Sequence, residues 1–285
     1  MEIQRIGVIG AGQMGTGIAQ VAAQAGLDVR LLDLDMKLAS AAVQRVDRAL
    51  ENQVKKGKLD DATRKHTVSR ITAIDRYADL AEVDMVVEAA IEDAAVKSDI
   101  FRQAEAATRP EVILASNTSS IPITKLAAAT KRSERVIGLH FMNPPPLMRL
   151  VEIIRGLQTS DETHEQVRNV TERMGKVIVS ANDMPGFIVN RMLIPFLNEA
   201  CFALEQGLGT PEDIDMGAKL GLNHPMGPLE LADLIGLDTV LYIGEVLHRE
   251  FGDSKYRPAT ILRNHVAAGW LGRKTGRGFY KYPPR

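Results

Sequence analysis

Gly10-Ala11-Gly12-Gln13-Met14-Gly15 follows a short, mostly apolar run at residues 3–9 and opens an alanine-rich stretch that continues to about residue 25. That order of strand, glycine turn and helix decides the fold. Gly10 permits the turn, Gly12 lets the backbone approach a pyrophosphate, and Gly15 lets helix and strand pack closely. The helix N-terminus adds unpaired N–H groups and the positive end of a dipole, both of which favour phosphate. Candidate cofactor-binding residues are therefore Gly10, Gly12, Gln13, Met14 and Gly15. Residues 29–32 read as a second strand that ends at Asp33. A carboxylate there can bond the two hydroxyls of an adenosine ribose and repels a 2′-phosphate, so the expected cofactor is NAD rather than NADP. The glycine spacing is weak by itself; strand, helix and acid together make it a dinucleotide site.

Outward from this turn, strands and helices alternate to about residue 180. A long helix at 36–56 ends in the basic cluster Lys55-Lys56-Gly57-Lys58, and 60–65 predicts a second helix, giving a projecting hairpin over about 36–68. Further strands are expected at 84–88, 112–115, 135–139, 150–154 and 177–179, with helices at 96–107, 123–129 and 161–174. This is the pattern of an α/β, Rossmann-type doubly wound sheet. Asn182-Asp183-Met184-Pro185-Gly186 interrupts it and marks a boundary between an NAD-binding domain, 1–183, and an all-α C-terminal domain, 184–285. Helices are expected there at 187–206, 211–220, 228–235, 237–251 and 258–268, with Thr210-Pro211 as a start signal. The apolar content of these helices, and analogy with other dinucleotide folds, lead us to expect a substrate and dimerisation domain and hence a homodimer.

Composition narrows the class. A hydrophobic fraction of 45% with 25% charged residues suits an ordinary globular protein, and a net charge of −1 argues against nucleic acid or a membrane surface as a general partner. No apolar run reaches the length of a membrane span and the chain enters a strand at once, so a cytoplasmic location is expected. The single cysteine, Cys201, lies in an apolar helical stretch and reads as a small core residue. The histidines (66, 140, 164, 224, 248 and 265) are scattered without ligand spacing, so no metal is expected.

Three segments carry possible chemistry. His140-Phe-Met-Asn-Pro-Pro-Pro-Leu-Met-Arg-Leu-Val-Glu152 places an imidazole and a carboxylate on successive apolar runs separated by Pro144-Pro145-Pro146. Three prolines cannot continue a helix, so the chain can turn and bring Glu152 beside His140. A carboxylate against a histidine fixes its tautomer and stabilises the imidazolium, as a general base near neutral pH requires. The plainer alternative is a strand-capping histidine and a solvent-facing glutamate. Ser116-Asn117-Thr118-Ser119-Ser120 follows a strand, where hydroxyls reach a substrate oxygen or simply cap the next helix. Asn190, in Pro185-Gly186-Phe187-Ile188-Val189-Asn190-Arg191, falls one turn into a helix, either toward a cleft or as an ordinary exposed polar residue.

Taken with Leu271-Gly272-Arg273-Lys274-Thr275-Gly276-Arg277-Gly278-Phe279-Tyr280, these motifs resemble the 3-hydroxyacyl-CoA dehydrogenase family, its single-function bacterial members above all, from Ile6 to Tyr280. The resemblance implies an NAD-dependent oxidoreductase that interconverts (S)-3-hydroxyacyl-CoA and 3-oxoacyl-CoA, of short chain such as 3-hydroxybutyryl-CoA and acetoacetyl-CoA. It implies His140 as catalytic base oriented by Glu152, with Ser119 and Asn190 around the substrate's 3-oxygen. It places Asn143 near nicotinamide or substrate, Glu92 and Lys97 at the nicotinamide–ribose end, Asp33 at the adenosine ribose, and Lys56 against coenzyme A. Some relatives carry a further lysine where this chain has Asn52, which weakens that part of the coenzyme A contact. The rival readings are a dehydrogenase for another acyl-CoA such as 3-hydroxyadipyl-CoA, one for a hydroxy acid without CoA, and a non-catalytic, crystallin-like NADH-binding protein. The last has no need of His140, Glu152, Ser119 and Asn190 together. A methyltransferase also uses a glycine-rich turn but has no use for a His–Glu base.

Overall fold

The first apolar run forms strand β1 (Arg5–Ile9), followed by helix α1 (Gln13–Gln24) and β2 (Asp28–Leu32). Then come α2 (Met36–Lys55), α3 (Asp61–Ser69), β3 (Ile71–Ile74), β4 (Met85–Glu88), α4 (Ala94–Ala107) and β5 (Ile113–Ser116). The remainder of the sheet region is α5 (Ile123–Ala127), β6 (Val136–Phe141), β7 (Leu150–Arg155), α6 (Asp161–Arg173) and β8 (Val177–Asn182). The computed structural model describes residues 2–283, and among these the strands form one eight-stranded sheet in the order β3-β2-β1-β4-β5-β6-β7-β8. β1 to β6 are parallel, β7 returns antiparallel against β6, and β8 runs parallel to β7. The strand order reverses at β1, and ligands of such sheets bind outside the carboxyl ends of the strands at that switch point. The expected doubly wound α/β class holds.

The central strands are buried along their whole length, as parallel strands covered by helices on both faces must be. In α2 the buried positions Ala39, Ala42, Val46 and Leu50 recur every three or four residues, so one stripe faces the core and the rest meets water. α2 and α3 pack against one another. Asp60 caps α3 by accepting from the Thr63 amide (2.8 Å), and Arg64 pairs with Asp61 (2.8 Å) and with Asp47 of α2.

Several element ends differ from the sequence expectations in this unit, α3 running to Ser69 and β8 to Asn182, and two further differences bear on the sheet and the site. β3, only four residues with Thr72 and Ala73 at its centre, carries too little apolar signal to be read, yet it completes one edge by pairing with β2. β6 continues to Phe141, so His140 lies inside the strand rather than beyond its end, because the ladder with β7 extends to the Phe141–Val151 pair.

The chain divides into two compact units, Met1–Met184 and Pro185–Arg285. The second contains α7 (Val189–Glu205), α8 (Pro211–Met216), α9 (Pro228–Ile235), α10 (Leu237–Phe251) and α11 (Thr260–Ala267). α7 starts two residues later than expected because Gly186 and Phe187 have φ of 79° and 49°, which no right-handed helix accommodates. Asn190 is therefore in the first turn, not one turn in. The C-terminal motif closes this unit. Asp233 of α9 accepts from the amides of Phe279 and Tyr280 and from the Tyr282 hydroxyl, each at 3.0 Å. A Cβ at Gly278 would collide with that carboxylate, so the glycine is what lets the segment close on α9.

Candidate active site

The glycine turn sits at the switch point. A Cβ at Gly15 would collide with the Gly10 carbonyl oxygen, whereas one at Gly12 would meet nothing within 4 Å. Gly15 is thus the close-packing position and Gly12 the open one. The Asp33 carboxylate, at the end of β2, accepts from the Ala11 amide (2.8 Å), tying the acid to the loop it serves. Thr16 Oγ1 and an Arg45 guanidinium nitrogen both donate to the Ala11 carbonyl oxygen (3.1 and 2.6 Å) and brace the loop from below. Beyond the strand ends opens a cleft of about 790 Å³, lined by Gly10, Gly12, Gln13, Met14 and Asp33 and, on its apolar side, by Leu34, Tyr77, Val96 and Ile100. A glycine floor, a helix N-terminus, a ribose acid and an apolar slot fit a dinucleotide.

At the other half of the sheet, His140 and Glu152 are directly opposite on β6 and β7. Their Nδ1–Oε2 distance is 2.7 Å; Glu152 is fully buried and His140 nearly so. A carboxylate only accepts, so Nδ1 carries the proton and the lone pair lies on Nε2. The proline run makes the reversal between the strands, with the amides of Leu147 and Met148 donating to the Pro144 carbonyl (both 3.0 Å). Lys176 holds that turn from β8's edge, donating to the carbonyls of Pro145 (2.5 Å) and Met148 (2.9 Å). Asn143 is exposed at the start of the turn and accepts from Gln13 Nε2 (3.0 Å), linking the segment after His140 to α1.

The serine loop lies between these halves. Ser119 is half-buried, and the Asn117 carboxamide oxygen accepts from the Phe141 amide (2.9 Å), fastening the loop next to His140. One oxygen of Glu92 accepts from Thr118 Oγ1 (2.7 Å), the Ser119 amide (2.9 Å), Ser119 Oγ (3.2 Å), the Ser120 amide (3.0 Å) and Ser120 Oγ (2.8 Å). Burial pushes the Glu92 carboxyl up, but the Lys97 ammonium and these donors outweigh it, and the group lies below the ordinary carboxylate value. Lys97 is only 1% exposed, its Nζ 2.6 Å from Glu88 and 3.4 Å from Glu92. Lys56 is exposed just past the end of α2. Asn190 belongs to the second unit, where it is 9% exposed on α7. Among the described residues, no group of three or more His, Cys, Asp or Glu side chains is arranged to hold a metal ion, and no helix is long and apolar enough to cross a membrane.

Sequence reading missed Glu88, Asn117 and Lys176. Glu88 did leave a signal: a carboxylate closing the otherwise apolar Met85-Val86-Val87 run of a buried strand demands a partner. Asn117 and Lys176 left none, since their partners are backbone groups far away in the sequence.

Residues 5–184 match the model of the 3-hydroxyacyl-CoA dehydrogenase NAD-binding domain, and residues 186–282 match that of the family's C-terminal domain. The chain belongs to the 3-hydroxyacyl-CoA dehydrogenase family. Relatives similar to this chain include the 3-hydroxybutyryl-CoA dehydrogenase of Bradyrhizobium diazoefficiens, 52% identical over 280 residues that cover 98% of this chain and 96% of that one. A probable 3-hydroxybutyryl-CoA dehydrogenase of Bacillus subtilis is also 52% identical, over 99% of this chain and 98% of its own. In three dimensions the chain is similar to the crystal structure of (S)-3-hydroxybutyryl-CoA dehydrogenase from Ralstonia eutropha, with a TM-score of 0.97, 50% identity, and coverage of 99% and 100% of the two chains. The family's cofactor is NAD, in agreement with Asp33 at the end of β2.

Proposed function

We propose that this dehydrogenase interconverts (S)-3-hydroxybutyryl-CoA and acetoacetyl-CoA, with His140 as the base. The observation that carries the assignment is the buried His140–Glu152 pair, one side chain on each of two opposed strands. In the oxidation direction His140 Nε2 takes the proton of the substrate's 3-hydroxyl, and the imidazolium so formed is stabilised by Glu152 at Nδ1. Bound NAD supplies the hydride acceptor, and NADH the donor in reverse. In the reduction direction the imidazolium returns a proton to the 3-oxygen. Ser119 is assigned to that oxygen: its hydroxyl proton, which points to Glu92 across 3.2 Å, turns to the substrate, and a hydrogen bond strengthened as charge develops there lowers the barrier. Asn190 is assigned to the substrate oxygen by resemblance, and Asn143 to the nicotinamide side through its bond to Gln13. Glu92 and Lys97 are assigned to the nicotinamide–ribose end.

Exposed Lys56, in the run Lys55-Lys56-Gly57-Lys58, supports an acyl-CoA over a free acid, since it offers a cation to phosphate. A homodimer formed through the second unit is supported by its exposed apolar side chains, among them Met192, Leu208, Leu220 and Leu222.

Steady-state reduction of acetoacetyl-CoA tests the reading, run with NADH and NADPH, across acyl lengths including an adipyl analogue, and beside free acetoacetate. NADH oxidation with short acyl-CoA and little with the free acid is expected. Absence of turnover with every thioester and either nicotinamide overturns it.

A further inference from the structure

Glu88 lies at the carboxyl end of β4 with none of its surface exposed, between the cofactor cleft and the serine loop. Its Oε1 accepts from the Ala90 amide (2.6 Å) and the Lys97 ammonium (2.6 Å), and its Oε2 accepts from Ser116 Oγ (2.6 Å). Both carboxylate oxygens are therefore engaged by groups of the protein. Lys97 reaches it from α4 and divides its remaining contacts between the Ala90 carbonyl (3.3 Å) and the second oxygen of Glu92 (3.4 Å). One buried cation thus stands between two carboxylates, and the outer one carries Thr118, Ser119 and Ser120 on a single oxygen.

We propose that Glu88 is a positioning residue: it fixes the Lys97 ammonium, and Lys97 sets the Glu92 carboxylate that holds the Ser119 loop. The asymmetry of the distances is the physical basis. Lys97 bonds Glu88 closely and Glu92 loosely, so Glu92 keeps its charge while its other oxygen stays turned toward the loop. Without the Glu88 charge, Lys97 becomes a buried cation with Glu92 as its remaining carboxylate, and the attraction across 3.4 Å draws Glu92 away from the amides and hydroxyls it organises. This role rests on the reading of Ser119 as the group that binds the substrate's 3-oxygen.

Glu88→Gln keeps the shape and removes the charge. The expected result is a fall in kcat of about 10²-fold, the order that a small misplacement of a positioned group costs. The NADH dissociation constant, measured by fluorescence, should rise as well, because Glu92 and Lys97 are assigned to the nicotinamide–ribose end, but by about tenfold or less, well short of the loss of kcat. Amide hydrogen exchange in the segment 116–121 should quicken, because the Ser119 and Ser120 amides lose their acceptor. The melting temperature should fall by roughly 10 °C from the unbalanced buried charge.

The double variant Glu88→Gln/Lys97→Met separates positioning from plain stability. It removes the Glu88 and Lys97 charges together, leaves Glu92 its hydroxyl and amide donors, and should recover most of the melting temperature, since neutral residues of similar volume replace a buried pair at little cost. Exchange at 116–121 should remain fast and kcat low, because without Lys97 the second oxygen of Glu92 has no ammonium to fix the orientation of the carboxylate. Recovery of loop protection and kcat together with the melting temperature overturns the proposal, as does a loss of NADH affinity as large as the loss of kcat. A loosened loop with undiminished kcat supports the Glu88–Lys97–Glu92 linkage and removes Ser119 from the reaction instead.

Discussion

His140 and Glu152 occupy directly opposed positions of an antiparallel pair, Nδ1 to Oε2 2.7 Å, at the one place where the sheet's parallel run turns back on itself. Opposed residues project to the same face, and a slip of one residue would send Glu152 through to the other side of the sheet. The proline turn and the β6–β7 ladder therefore set the chemistry by setting the register. Glu152→Gln keeps the volume but offers His140 a neutral partner. We expect kcat to fall by about 10²-fold or more with NADH binding unchanged within twofold, and His140→Gln to fall further, within the 10²–10⁴-fold range of general acid–base catalysis. Near-normal kcat in either variant would remove the pair from the mechanism.

Asp33 both faces the cofactor cleft and accepts from the Ala11 amide. Asp33→Ala should raise the NADH dissociation constant by about tenfold, equivalent to about 1.4 kcal/mol, and narrow the preference over NADPH because the charge that repels a 2′-phosphate is gone. Fluorescence titration with the two dinucleotides reads both effects. An unchanged ratio of the two affinities would show that discrimination lies elsewhere.

Glu92 supplies the pH dependence. Its carboxyl is held below the ordinary 4.5 in the fold, so its contribution to stability is fully present above that value and is lost as pH falls through the lower, folded one. The urea midpoint difference between the parent chain and Glu92→Gln should be level from about pH 7 to pH 5 and shrink toward pH 3. A difference that widens on acidification contradicts the sign.

Lys176 acts on the turn rather than the reacting groups. Lys176→Met removes the donor to the Pro145 and Met148 carbonyls and should cost about 1–3 kcal/mol in urea unfolding. Turnover should fall too, since Asn143 begins the same turn, and a variant equal to the parent in both respects would show the clamp to be idle.

Cys201 is fully buried on α7, and burial pushes its thiol up to about 12. At neutral pH it should stay protonated and react with a thiol reagent only as fast as the chain opens, so labelling should track urea-induced unfolding. Rapid labelling of the native protein would contradict its place in the core.

Much of the molecule was legible from local chemistry. Gly10, Gly12, Gly15 and Asp33 announce their places because a turn, a close approach and a strand end each admit few residue types. α9 and α10 were read to the residue, since Pro228, Gly236 and Gly252 punctuate them. β3 escaped because four residues with two small or polar ones carry almost no periodic signal, and the start of α7 escaped because nothing in Phe187 foretells its positive φ.

The chain order alone established the dinucleotide fold, the acid at the end of β2 and the candidacy of His140 with Glu152. Whether that pair met, and what held the serine loop beside it, depended on register and on contacts between distant segments. Glu88, Lys97 and Glu92 read as three charges on a strand, a helix and the loop between them until the sheet brings β4, α4 and the end of β5 together. Burial then turns them into a linked set, because charges removed from water must find one another, and which ones do so is decided by packing rather than by spacing along the chain.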